Sequence, residues 1–287
     1  MKIIFYIFSI YPLKLAFNVC DGVFKVLPLR ILRAFTPFRV TRKNLSIVFP
    51  NLSSQELDSL AKASYLETLK SFYETLYTWS RSSTKIIYHT KKINNRFLFN
   101  TNAKKDGLII FALHNRSIDF MLRWISSQRA HTSLYKKIKS KPINRFVKKL
   151  REEGDCKMVE TGIGGVKSIL NSLMNNQMTC MASDQVPANG LGTYSTFFGH
   201  ECYSFALAPK LARKSKKQIL MSYLSYEKDI GHVINFVDPN KEIYNENGVD
   251  VMNLEMENQI KKSPAEYSWE YKKFRKLSKE PKDIYKT

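Results

Sequence analysis

Cysteine is scarce in this sequence, and its placement argues against several kinds of site. The four cysteines of the 287-residue chain are Cys20, Cys156, Cys180 and Cys202. They form no C-x-x-C pair, and no histidine lies near them at the spacing of metal ligands. We therefore expect a reducing compartment and no structural metal.

The sequence also lacks a Gly/Ser-rich linker, a low-complexity tract and an internal repeat. The stretch Gly162-Ile163-Gly164-Gly165 falls short of the dinucleotide-binding fingerprint, so no cofactor is expected. The length suits one sizeable α/β core. We predict a membrane-associated helix in residues 1–29 and one folded domain in residues 30–287.

Acidic residues are few, at 25 against 46 lysines and arginines, which gives a formal charge of +21. Such a charge attracts phosphate surfaces, acidic proteins or nucleic acid. No helix-turn-helix, zinc-finger or RNA-recognition signature is present, so we do not expect nucleic-acid binding. The basic stretches, such as residues 136–141, flank apolar segments instead. They suit an anionic membrane surface, a phosphorylated substrate and an acidic carrier protein.

No apolar run is long enough to cross a bilayer, because residues 3–13 fall short of the roughly 20 that a spanning helix needs. Polar residues then line one side of a predicted helix: Lys14, Asn18, Asp21 and Lys25. Apolar residues fall largely on the other side: Leu13, Phe17, Cys20, Phe24 and Leu27. This pattern predicts a helix in the membrane interface.

Two alternatives to the interfacial helix stay open, a tilted and partly embedded helix over residues 3–28 and a cleaved signal peptide. The second has only Lys2 as its charged region and no convincing cleavage site. The basic residues that follow favour the cytoplasmic side of the membrane: Arg30, Arg33, Arg39, Arg42 and Lys43.

Apolar runs farther along the chain alternate between strand and helix patterns. Strands are predicted over residues 107–113, 178–183 and 218–224, and helices over residues 167–175 and 206–213. Ser53 and Glu56 form a capping box that opens another helix. We predict an α/β fold with a mixed, largely parallel sheet and helices on both faces. His114 and Asp184 follow strand ends, where such sheets bind ligands, so we expect them in one site.

A histidine and a carboxylate stand five residues apart in the stretch from His114 to Asp119. They can meet only if His114 lies in a loop and Asp119 on the first helical turn, because five helical residues leave two side chains about 140° apart. A carboxylate that fixes the imidazole tautomer makes it a base toward an alcohol, which predicts acyl transfer to a hydroxyl. The structural alternative is an aspartate that simply favours the helix N-terminus.

Several further segments resemble one family in order and over nearly the whole chain. They are Arg42-Lys43-Asn44-Leu45 with Phe49-Pro50, Glu74 with Trp79, Asp184-Gln185, Phe197-Phe198-Gly199, Ala208 with Leu211-Ala212, and Tyr267-Ser268-Trp269. Together with His-x4-Asp they are similar to the late acyltransferases of lipid A biosynthesis (lauroyl and myristoyl transferases), within the glycerolipid acyltransferase superfamily. The chain departs from that pattern at Asp119, where the family usually has Glu, and at Tyr271-Lys272-Lys273, where it usually has His-Arg-Arg.

The resemblance implies an enzyme that moves a fatty acyl chain from acyl carrier protein to a hydroxyl of a lipid A precursor, at the cytoplasmic face of the inner membrane. Acylation of another glycolipid or a lysophospholipid is the alternative within enzymes. A non-catalytic, basic membrane-binding protein of the same fold is the alternative outside them. Because a thioester is already activated, no serine or cysteine nucleophile is required.

Site roles follow from the motif and the resemblance together. His114 is expected as the general base and Asp119 as its orienting partner. The remaining expected site residues are Arg151 for a phosphate or a developing negative charge, Asp184 and Gln185 to organise the site, Arg116 to contact phosphate or cap the loop, and Phe198 with Gly199 to line an acyl pocket.

Overall fold

A seven-stranded sheet forms the centre of the computed structural model, which describes residues 2–101, 106–279 and 284–285. Its strand order is β1-β9-β8-β2-β5-β3-β4. The β8–β9 pair is antiparallel and the other neighbouring pairs are parallel. Its strands are β1 (Thr90–Asn94), β2 (Leu108–Ala112), β3 (His131–Tyr135), β4 (Lys157–Glu160), β5 (Met178–Ala182), β8 (Gln218–Glu227) and β9 (Gly231–Val237). A separate antiparallel hairpin consists of β6 (Gly192–Phe197) and β7 (His200–Phe205).

Helices cover both faces of the sheet. They are α1 (Lys2–Phe8), α2 (Leu13–Val26), α3 (Leu29–Leu32), α4 (Thr36–Val48), α5 (Ser54–Ser80), α6 (Ser83–His89), α7 (Arg96–Thr101), α8 (Ile118–Gln128), α9 (Lys141–Arg151), α10 (Ile163–Met174), α11 (Leu207–Ser215) and α12 (Gly248–Lys262). Short 3₁₀ helices lie at Lys241–Tyr244 and Pro264–Glu266. The predicted α/β fold with a mixed, largely parallel sheet is confirmed.

The central strand β2 shows why both faces are covered. All five of its residues are buried, and they alternate between two apolar clusters. Ile109 and Phe111 join the cluster that contains residues of α10, α11 and α12, whereas Ile110 and Ala112 join the one that contains α8. A strand buried on both sides reads as a continuous apolar run, which is how it appears in the sequence.

Two helix starts are fixed by local hydrogen bonds. The Ser53 hydroxyl accepts from the Glu56 N–H while Glu56 accepts from the Ser53 N–H, so the predicted capping box opens α5. The Ser117 hydroxyl accepts from the Phe120 N–H and caps α8. Because α8 starts at Ile118, His114 lies in the loop and Asp119 on the first helical turn, the arrangement that a contact between the two would need.

The N-terminal helices differ from the predicted arrangement in the face that they expose. The apolar side chains of Leu13, Phe17 and Phe24 are buried in the protein, so the side of α2 expected to meet a membrane packs inward. Another stripe faces outward instead, formed by Leu15, Val19, Val23 and Val26. The periodicity of the sequence shows only that α2 has an apolar side. In the structure this side packs against α5 and is not available to a membrane.

In the described part of the chain no single helix has the length and apolarity to cross a membrane. Helices α1 and α2 together reach the required length and composition, but they are bent by 50° at the break between them.

Candidate active site

His114 lies at the carboxyl edge of the sheet, two residues beyond β2, and a carboxylate from the next strand holds it there. Asp184, two residues beyond β5, accepts from His114 Nδ1 at 2.7 Å and from the His114 backbone N–H at 3.0 Å. The two strands are parallel neighbours in register, Ala112 beside Ala182, so their ends deliver both residues to one place. The sequence-based expectation that His114 and Asp184 share a site agrees with this geometry.

His114 and Asp184 each stabilise the charged form of the other, which shifts their pKa values in opposite directions. Burial by itself would lower the pKa of His114, but the charge and hydrogen bond of Asp184 outweigh it and raise that pKa above its usual range. Burial raises and His114 lowers the pKa of Asp184, with a net shift downward. Since Nδ1 is engaged by Asp184, Nε2 is left as the basic atom, and the Gln185 side-chain nitrogen lies 3.4 Å from it.

Asp119 is engaged elsewhere, in contrast to the expected contact with His114. Its carboxylate forms a bidentate ion pair with Arg151, in which Nε donates to Oδ1 at 2.6 Å and Nη2 donates to Oδ2 at 2.9 Å. Arg151 ends α9 and lines the same cavity as His114. The structure therefore places Asp184 as the orienting carboxylate of His114, and Asp119 as the group that holds Arg151.

A C-terminal strap, residues 266–271, closes the other side of the motif loop. The Ser268 N–H donates to the His114 carbonyl at 3.0 Å, and the Arg116 N–H donates to the Glu266 carbonyl at 3.1 Å. The buried Tyr267 hydroxyl hydrogen bonds with Asp184, and burial together with that carboxylate holds the pKa of Tyr267 well above its usual range. The sequence marked Tyr267 only as part of a similar segment, and its contact with Asp184 depends on a strap 83 residues farther along the chain.

An apolar cavity of about 440 Å³ opens beside His114 and runs between α8 and the sheet. His114, Gln185, Lys136, Arg151 and Arg275 are its polar lining near the carboxyl edge of the sheet. Its apolar lining includes Ile110, Met121, Leu122, Ile125 and Cys180. The volume is within the usual range for sites that take one small molecule or one chain.

A family model described as bacterial lipid A biosynthesis acyltransferase matches residues 3–276. The chain belongs to this family. The resemblance predicted from the sequence is thereby confirmed. A search of curated proteins gave no match. As a lipid A biosynthesis acyltransferase the protein is an enzyme, with an acyl donor and a lipid A or related glycolipid acceptor.

In this acyltransferase Arg116 is a buried structural residue and does not face the cavity. Arg116 is 2% exposed, and its guanidinium binds Glu74 Oε1 at 2.8 Å from Nε and at 2.5 Å from Nη2 and also pairs with Glu67. Arg116 and His232, with hydrogen bonds from both, lower the pKa of Glu74 to about 2 against the effect of burial. The phosphate contact expected for Arg116 is not available from this position, because carboxylates already occupy its donors.

Phe198 and Gly199 lie outside the cavity as well. They are the two central residues of the β6–β7 turn, with φ values of 49° and 75°, as a type I′ turn requires. The Phe198 ring packs against Phe49, Phe197 and Trp269. Their similarity to the family therefore corresponds here to a fixed hairpin, and the cavity wall comes from α8 and the sheet.

The basic C-terminal motif spreads its three residues over different environments. The Tyr271 hydroxyl accepts from the Val186 N–H at 3.0 Å, beside the cavity. Lys273 is 1% exposed and lies 4.4 Å from the centre of the Phe197 ring, with burial lowering its pKa. Lys272 faces a second cavity.

Among the described residues no group of three His, Cys, Asp or Glu side chains is arranged to hold a metal ion.

Proposed function

We propose that the protein transfers a fatty acyl chain from an acyl carrier protein thioester to a hydroxyl of a lipid A precursor, with His114 as the general base. The observation that carries the proposal is an imidazole fixed by Asp184 at the mouth of an apolar cavity. A secondary acylation, in which the accepting hydroxyl is on an ester- or amide-linked hydroxyacyl chain, fits a base of this kind.

The reaction proceeds by direct attack. His114 Nε2 takes the proton of the acceptor hydroxyl as its oxygen bonds to the thioester carbonyl carbon. Collapse of the tetrahedral intermediate breaks the C–S bond, and the imidazolium returns the proton to the departing thiolate. Asp184 and its Tyr267 partner keep Nδ1 protonated, so that Nε2 is the basic atom throughout.

Arg151 is proposed to stabilise negative charge that develops on the carbonyl oxygen or is carried by the acceptor. Asp119 binds its Nε and Nη2, which fixes the guanidinium plane. Nη1 has no partner in that pair. A guanidinium held in this way needs no reorganisation during the reaction.

The acyl chain is proposed to occupy the cavity beneath α8. Because that helix runs back along the sheet from the carboxyl edge, Ile118 is near the His114 end and Ile125 is deeper. Seven residues of helix separate them, or about 10 Å.

A carrier-protein donor is supported by the cations around the cavity mouth. Lys136 lines the mouth itself, and Lys139 and Lys141 are exposed nearby, while Lys137 pairs with Glu160 at 2.8 Å. An acidic carrier protein would be steered to this edge more strongly than coenzyme A.

We propose the cytoplasmic face of the inner membrane as the site of action. The support is the exposed apolar surface of α1 and α2, which includes Ile3, Ile7 and Phe8 at 62% exposure or more, followed by a basic segment.

The decisive experiment incubates the purified protein with a lipid A precursor and matched acyl donors, one on acyl carrier protein and one on coenzyme A. We expect the acceptor to gain one acyl group by mass spectrometry, with higher kcat/KM for the carrier-protein donor. His114→Ala should lose roughly 10²- to 10⁴-fold in rate while its circular dichroism stays that of the wild type.

Three results would contradict the proposal. If His114→Ala kept more than half of the wild-type rate, His114 would not be the general base. If the two donors were used equally well, docking of an acyl carrier protein would be ruled out. Acylation of a lysophospholipid with no acylation of the lipid A precursor would replace the acceptor.

A further inference from the structure

A second cavity, of about 570 Å³, lies against α4 and away from His114. Among the described residues its lining is rich in cations and contains no carboxylate; the cations are Arg33, Arg39, Arg42, Lys43 and Lys272. The first four lie in one short stretch of the chain, and Lys272 directly follows the C-terminal strap. The acyl-transfer chemistry described above uses none of these residues.

A buried carboxylate fixes two of the three guanidinium groups of this cavity. Asp58, 7% exposed, accepts from Arg33 Nη2 at 2.6 Å and from Arg42 Nε at 2.5 Å. One carboxylate therefore orients two arginines and neutralises only one of their charges. Ser54 accepts from Arg42 Nη2 at 3.1 Å and completes its position. Guanidinium groups held in one orientation suit the binding of a tetrahedral oxyanion.

Neither lysine of the cavity forms an ion pair with a carboxylate among the residues that the structure describes. Lys43 is exposed, and Lys272 lies 5.5 Å from the centre of the Tyr285 ring. With Asp58 counted, the described residues place five cations against one anion, an excess of four positive charges. This excess is typical of a site that receives an anion from outside.

The surroundings of the cavity indicate where that anion comes from. Ile31 and Phe35 stand on either side of Arg33 in the chain and are 44% and 51% exposed. Val26, just upstream, is 81% exposed. Apolar side chains beside cations are the pattern of a surface that meets lipid tails and headgroups together.

We propose that this second cavity binds the phosphate group of a membrane lipid, at a site distinct from the acyl-transfer centre. Arg33 and Arg42 direct their guanidinium groups at the phosphate oxygens, and Lys43 and Lys272 add charge. Asn44 of α4 donates to the Trp269 and Tyr271 carbonyls at 2.6 and 2.8 Å, so the wall of this cavity is fastened to the strap that borders the active site. A lipid held here would keep the enzyme seated with its strap at the membrane surface.

The test measures binding directly and does not depend on acyl transfer. The full-length protein is titrated by calorimetry with dihexanoyl phosphatidic acid below its micelle concentration, and separately partitioned onto phosphatidylcholine vesicles with and without phosphatidic acid. We expect saturable one-to-one binding of the short lipid, and a preference for the anionic vesicles. Lys43→Gln/Lys272→Gln should weaken both by roughly tenfold or more.

The matched control is Lys210→Gln/Lys214→Gln, which removes the same charge from exposed positions on α11. It should stay within about twofold of the wild type. If both double variants lose the same affinity, or if the short lipid shows no saturable binding, the positive charge acts diffusely and the proposed site is wrong.

Kinetics separate two sources of the phosphate. If the cavity variant raises KM for a phosphorylated acceptor but not for the same acceptor after dephosphorylation, the cavity receives the phosphate of the acceptor itself. If its KM is unchanged while vesicle binding falls, the cavity receives a bulk phospholipid. The calorimetric titration measures lipid binding without any acyl transfer. Failure of the proposed acyl transfer would therefore not be mistaken for failure of this site.

Discussion

At the scale of single residues, the main finding is an exchange of partners between two aspartates. The sequence pairs His114 with Asp119 because they are close in the chain and share a recognisable motif. In the folded protein Asp184 orients His114, and Asp119 holds Arg151. The two residues of a short motif can thus each form their main contacts with residues far away in sequence.

The two aspartates are distinguishable by the pH dependence of the rate. Asp184 raises the pKa of His114, and the proposed reaction needs neutral imidazole, so wild-type kcat/KM should fall with decreasing pH through an apparent pKa above the usual value for histidine. Asp184→Asn removes the charge that raises this pKa, so the acid limb should move to lower pH and the rate should drop by about 10²-fold. Rate measurements against pH between 5 and 9 check this.

Asp119→Asn is the matched control for that experiment. It releases Arg151 and should lower the rate, but it should move the acid limb less than Asp184→Asn does, because Asp184 contributes more than Arg151 to the pKa of His114. An acid limb that moves with Asp119→Asn and not with Asp184→Asn would return the orienting role to Asp119.

At the scale of elements, α8 has two functions that follow from its sequence. Its first turn carries Asp119, and its inward stripe, including Met121, Leu122 and Ile125, walls the cavity. A helix that follows a buried strand packs back on the sheet, so the same side chains that make the core also limit the volume of the cavity that we propose for the acyl chain.

Ile125→Trp should shorten the acyl chain that the enzyme accepts, because the added volume fills the deep end of the cavity and leaves the His114 end open. We expect kcat/KM for the longest accepted donor to fall by tenfold or more, while a donor shorter by four carbons is affected less than about threefold. A donor series of increasing length, assayed on one acceptor, gives the measurement.

Gln128→Trp provides the control on the same helix, since Gln128 is exposed and does not line the cavity. Its donor preference should match the wild type. If Ile125→Trp lowers kcat/KM equally for donors of every length, the acyl chain does not lie along α8.

At the scale of the whole molecule, the N-terminal helices have two apolar sides with different roles. Phe17 is 3% exposed and packs in the core, whereas Leu15, Val19 and Val23 form an outward stripe at 47%, 57% and 50% exposure. The inner side contributes to stability, and we expect the outer stripe to contact the bilayer.

Replacing the outer stripe with serine at positions 15, 19 and 23 should move the protein from the membrane to the soluble fraction after a high-salt wash, which screens the contribution of the basic surface. The melting temperature should stay close to that of the wild type. Phe17→Ala should instead cost about 3–5 kcal/mol of stability, because it leaves a cavity in the core. Fractionation and thermal unfolding together make the comparison.

A triple serine variant at Ile163, Met174 and Leu254, which are exposed at 91%, 67% and 53%, controls for loss of surface apolarity elsewhere. It should remain on the membrane. Should the 15/19/23 variant also remain there after high salt, the anchor is not on α2.

Much of this protein follows from its sequence because the determining interactions are local. The alternation of buried runs and amphipathic segments predicts the strands β2, β5 and β8 and the helices α10 and α11, each within a few residues at its ends. The capping box at Ser53 fixes the start of α5, and the change from an apolar run to a helical pattern on either side of His114 predicts a loop followed by α8. In each case neighbouring residues decide the backbone conformation.

The tertiary structure alone decides which side chains meet. Asp184 reaches His114 because β2 and β5 are adjacent parallel strands, and the strap reaches the motif loop from the far end of the chain. The inward burial of Phe17, the carboxylates around Arg116, and the position of Lys272 beside Arg33 and the arginines of α4 have the same origin. Such contacts depend on long-range packing, in which every element competes for the same partners, and no local pattern of residues encodes the outcome.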